Sequence, residues 1–143
     1  MSTRVPLAQG QRNLALLWLP ASAILFAILI AQSVFGKYGD QSGKAWSWFL
    51  PTVLPTLSLI VGAVAYSARQ EATTDTVEQF AYRLSIGLSV FYLALVAAVP
   101  LVQPLTSAQP FELMESSKLW LAPLQGLLGL ALGAFFVSRQ SAR

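Results

Sequence analysis

Four apolar blocks without a single charge follow one another along the chain, roughly Asn13–Gly36, Ala45–Ala68, Leu84–Gln109 and Leu119–Ser138. Each reaches the ~20 residues that an α-helix needs to cross about 30 Å of hydrocarbon. Inside lipid the backbone must satisfy its own donors and acceptors, so segments of this length are expected to be helices. The expected fold class is therefore all-α: a polytopic membrane protein whose four transmembrane helices cover approximately residues 14–35, 47–68, 79–101 and 118–138. Short polar links between them imply antiparallel neighbours, hence one up-down-up-down bundle spanning residues 1–143. Composition agrees, with 55% apolar and 10% charged residues and a mean hydropathy of +0.60, where soluble domains carry about 25% charge. Arg4 and Arg12 precede the first block as they would in a signal peptide. Its apolar run is longer than an h-region, and no convincing small-x-small cleavage site stands where one belongs, so the block is expected to be retained.

The cations give an orientation. With the N-terminus inside, Arg4, Arg12, Arg69, Arg83, Arg139 and Arg143 are cytoplasmic, and only Lys37, Lys44 and Lys118 lie outside. That asymmetry favours N-in and C-in, in a cytoplasmic membrane of bacterial inner-membrane type. Tyr38, Trp46, Trp48 and Trp120 would then form the outer aromatic belt, with Trp18, Tyr66 and Tyr82 nearer the inner one.

Missing residue types exclude much chemistry. Without Cys there is no disulfide, thiol exchange or thiolate nucleophile, and without His the bis-imidazole haem, the usual zinc and copper sites and Ser-His dyads are excluded. No Asp or Glu lies centrally in any span, so proton exchange of the small-multidrug-transporter kind, which needs a carboxylate in the first helix, has nothing to work with. The net charge of +3 is spread between apolar blocks and forms no nucleic-acid-binding stripe. No cofactor and no enzymatic activity are expected.

Two stretches stand out. In "FLPTVLPT", Phe49 to Thr56, Pro51 is expected to open the second helix, where its missing N–H is harmless. Pro55 then sits inside the helix, cannot donate to the carbonyl of Pro51, and produces a kink whose freed carbonyl needs a partner. Thr52, Thr56, Ser58 and, from the fourth helix, Gln125 are the nearby polar candidates. They form either a polar notch lining a pore or cleft, or simple interhelical hydrogen bonds. In "LAPLQGLLGLALGAFF", Leu121 to Phe136, the small residues Ala122, Gly126, Gly129 and Gly133 share one helix face, and Gly129 and Gly133 form GxxxG. Glycine costs about 1 kcal/mol of helix propensity against Ala, so this face is expected to meet another backbone, in the same chain or in another copy. Weaker stripes at Ala23, Ala27 and Ala31 and at Ala81, Ser85 and Ser89 are expected in the bundle's inner seams. Asp75 and Glu78 are expected to cap the third helix, and Phe111 and Met114 to face lipid from a short interfacial helix or an irregular loop.

Three function classes fit these residues. The first is a non-catalytic membrane subunit or interaction protein, with membrane lipid and either a second copy or a partner membrane protein as its neighbours. The second is a homo-oligomeric channel or pore-former, as an effector or its membrane-bound antagonist. The third is a small carrier for a neutral or lipidic solute.

Overall fold

A computed structural model of the chain describes residues 3–69, 76–105, 107 and 109–137. Four long helices dominate: α1 (Leu7–Val34), α2 (Ser42–Arg69), α3 (Gln79–Val102) and α4 (Pro110–Val137). Two short strands, β1 (Arg4–Pro6) and β2 (Thr76–Glu78), precede α1 and α3 and pair antiparallel, with Val5 opposite Val77. Among the described residues three helical segments, beginning at Leu7, Gly39 and Gln79, are long and apolar enough to cross a membrane. At 28 residues, α1 extends about 42 Å, well beyond the hydrocarbon thickness.

The turn between α1 and α2 follows from its glycines. Phe35 ends α1, and Gly36 adopts φ +75°, the left-handed conformation that closes a helix. Its N–H donates to the Ser33 carbonyl at 3.2 Å and that of Lys37 to the Gln32 carbonyl at 3.0 Å, so the last carbonyls are satisfied by a Schellman closure. A Cβ at Gly36 would meet nothing within 4 Å, so only the backbone resists substitution. Gly36→Ala is expected to cost about 1 kcal/mol in reversible unfolding, the penalty for a non-glycine residue in this region. Beyond the turn, Tyr38 is buried, donates to Gln32 Oε1 at 2.5 Å and packs at a tilt against Phe111.

Burial raises the Tyr38 pKa above its ordinary value. A raised folded-state pKa means that the contribution is complete below the unfolded value near 10 and is lost as pH rises through the folded one. Unfolding titrations should show stability falling above about pH 10, and Tyr38→Phe should remove that component.

The helices alternate in direction. Strand pairing joins the starts of α1 and α3, while Lys37 Nζ donates to the Pro100 carbonyl at 3.5 Å near their far ends, so these two run parallel. Trp48 Nε1 donates to Ser117 Oγ at 2.8 Å between the early turns of α2 and α4, which run the other way. α1 packs on α2 and α3, and α4 packs on α3 and α2. The short link from α2 to α3 thus joins helices that are not main packing partners, contrary to the simple expectation, because β1–β2 pairing draws the start of α3 to α1. Across the centre they still meet, where the Tyr92 hydroxyl donates to the Thr52 carbonyl at 2.7 Å.

The core is apolar and aromatic: Leu14, Trp18 and Leu29 of α1, Phe49, Val53 and Ile60 of α2, Tyr92 and Val96 of α3, and Leu128 and Leu132 of α4. Phe26 joins α1 to α2 by packing against Trp46 and edge-on against Phe49. Large apolar side chains also point outward, among them Leu16, Ile24, Phe91 and Leu130. Such a periphery suits lipid and penalises water.

Several local expectations are corrected. α2 begins at Ser42, so Pro51 is interior and not the first helical residue. The residues before it already coil, with Ser47 Oγ bonded to the Gly43 carbonyl. Glu78 closes a strand and occupies the N-cap position of α3 without a side-chain cap bond, because β1 supplies the pairing that a capping box would have replaced; Asp75 lies outside the described residues. α4 starts at Pro110 in one continuous helix, which turns Met114 into the core and sets Phe111 against Tyr38 rather than toward lipid. Trp48 is buried in the packing instead of standing in an outer belt. Ala23, Ala27 and Ala31 are exposed, since Trp18, Ser22, Leu25 and Leu29 occupy the inward face of α1.

Candidate functional site

The prolines of α2 and the glycine face of α4 border the same groove. Its wider, more open part has a volume of about 430 Å³ and is lined by Pro51, Pro55, Thr56, Leu59, Gln125, Gly126 and Gly129. A second part of about 300 Å³ adjoins it, sharing Pro51 and Gln125 and adding Ser47, Trp48, Thr52, Tyr92, Lys118, Leu121 and Ala122.

Backbone chemistry explains why the groove exists. Each proline in α2 deletes one helical N–H, leaving the carbonyl four residues earlier without its normal partner. For Pro55 that carbonyl belongs to Pro51. Gln125 Nε2, from α4, donates to the Pro51 oxygen at 3.1 Å and lies 3.5 Å from the Thr52 oxygen. The amide thus replaces the lost backbone donor and ties α4 to α2 at the site of the defect. Thr52 Oγ1 turns back to the Trp48 carbonyl at 2.5 Å, so its hydroxyl stabilises its own helix. Both Thr52 and Thr56 are buried, whereas Ser58 is exposed and, between the lining residues Thr56 and Leu59, does not itself line the groove.

The small-residue face is open. Ala122 and Gly126 are exposed and Gly129 and Gly133 half-buried, and a Cβ built on any of the three glycines would meet no neighbouring atom within 4 Å. Among the described residues, therefore, no other backbone of the chain makes the close approach that glycine permits. α4 turns a different face inward, with Met114, Ser117, Leu121, Leu128 and Leu132 buried.

Sequence reasoning singled out Pro51, Pro55, Thr52, Thr56, Gln125, Gly126 and Gly129 on separate grounds, and all seven line this continuous groove. It missed Trp48 and Tyr92, whose polar ends anchor the groove's wall at Ser117 and Thr52. A signal was present in the alternation of bulky aromatics with Ser and Thr in "WSWFLPT". No protein-family model matches the chain, and no curated protein or solved structure shows significant similarity to it.

Proposed function

We propose that the protein is a non-catalytic integral membrane subunit with four spans and both termini cytoplasmic, which binds a transmembrane helix of a second copy or of a partner membrane protein in the α2/α4 groove. One observation carries the reading: glycines that cost helix propensity line an uncovered face beside a proline-opened groove. In lipid, close backbone approach is a main source of helix association, because burial of apolar surface drives nothing when the solvent is itself apolar. A face of Ala122, Gly126, Gly129 and Gly133 offers that approach and carries no charge that a partner would have to desolvate. α4 crosses the membrane in this reading, as do α1, α2 and α3.

Native mass spectrometry from mild detergent tests it. Discrete stoichiometric assemblies of the chain, with itself or with one co-purifying membrane protein, are expected. A strictly monomeric species, or passage of ions or dye through liposomes containing the purified protein, would reject it. Tags on both termini should report the same, cytoplasmic compartment.

A further inference from the structure

Four buried side-chain polar atoms lack a hydrogen-bond partner among the described residues: Trp18 Nε1, Ser22 Oγ, Ser33 Oγ and Ser89 Oγ. Ser33 lies near the end of α1, whereas the other three belong to the turns of α1 and α3 that meet through Trp18 and Tyr92. Trp18 and Ser22 are four residues apart on α1 and so stack on one helix face. Ser89 and Tyr92, three apart, do the same on α3. The rings of Trp18 and Tyr92 then join the two pairs, with centroids 6.1 Å apart. All three orphans are sealed in, with residue exposures of 0% for Trp18, 2% for Ser22 and 0% for Ser89.

We infer that a bound water molecule sits between α1 and α3 at this point, accepting from the Trp18 indole N–H and exchanging hydrogen bonds with the Ser22 and Ser89 hydroxyls. A buried donor without an acceptor is costly, and three of them multiply that cost. Their number matches what an internal water typically satisfies, about three bonds. Their types match as well: an indole only donates, whereas a hydroxyl donates or accepts, so the three together serve both lone pairs and one hydrogen of a water. Position supports the same conclusion. α1 and α3 are bonded directly at one end by Asn13 Nδ2 to the Tyr82 hydroxyl, at 2.8 Å, and at the other by Lys37 to Pro100. A water at Trp18 supplies the polar link between them at mid-height.

Indole-¹⁵N-labelled protein in lipid nanodiscs tests this, with the Trp18 resonance assigned from Trp18→Phe. The expected result is cross-relaxation between the Trp18 N–H and a long-lived water, lost in the Ser22→Ala, Ser89→Ala double variant, which also unfolds at a lower temperature than the parent. If that variant does not fold, Ser22→Ala alone carries the same comparison. Absence of the water signal in the parent protein overturns the inference. So does a serine variant whose unfolding temperature is unchanged or raised, because the hydroxyls would then be bonding within their own helices or not at all.

Discussion

Gly126→Leu combined with Gly129→Leu is expected to leave the single chain folded and to abolish its assembly. The two halves of this expectation rest on different facts. A Cβ at either glycine meets nothing within 4 Å, and leucine has the better helix propensity by nearly 1 kcal/mol, so the monomer has no reason to unfold. A partner helix in the groove, by contrast, would be held several ångströms further out by two leucine side chains, and packing attraction is lost over a fraction of that distance. Association should weaken by at least about tenfold, roughly 1.4 kcal/mol. Native mass spectrometry of the variant beside the parent reads the outcome. Unchanged assembly would exclude the α2/α4 groove as the contact, and loss of folded monomer would show that the glycine face supports the chain's own fold.

Removing the Gln125 amide should destabilise the protein by about 1 kcal/mol, the net contribution of a hydrogen bond that stands open at the groove. The relevant comparison is a double-mutant cycle with Pro55→Ala. Alanine at 55 restores a backbone N–H that reaches the Pro51 carbonyl in the ordinary helical way, so Gln125→Leu in that background should cost little. A coupling energy close to the whole cost of Gln125→Leu is therefore expected from reversible unfolding in mixed micelles. Additive effects would mean that Gln125 stabilises through packing alone and that the Pro51 bond at 3.1 Å contributes nothing. The cycle also reports on the groove itself: straightening α2 at residue 55 should narrow it and weaken any assembly that uses it.

Much of the fold was legible because lipid imposes a simple rule. A run of about 20 apolar residues has one inexpensive conformation in hydrocarbon, so the helical content of α1, α2, α3 and α4 followed from charge-free length. Helix starts were less legible. α2 extends back to Ser42 and α4 to Pro110 because polar residues outside an apolar block still coil when tertiary contacts hold them, as Trp48 does with Ser117 and Phe111 with Tyr38. β1 and β2 escaped notice for a related reason: three residues carry no period, and each strand exists only because the other is beside it.

At the candidate site the division is sharper. The sequence by itself determined that a proline at 55 strands the Pro51 carbonyl and that Ala122, Gly126, Gly129 and Gly133 share a face, since both depend only on bonds and periodicity within one helix. Which residue answers that carbonyl, and whether that face is covered, depend on how residues 74 apart in the chain are placed side by side. Only the tertiary structure decided these, bringing Gln125 to Pro51 while leaving the glycines open, because the rotation of each helix is set by the sum of its buried contacts and by no local pattern.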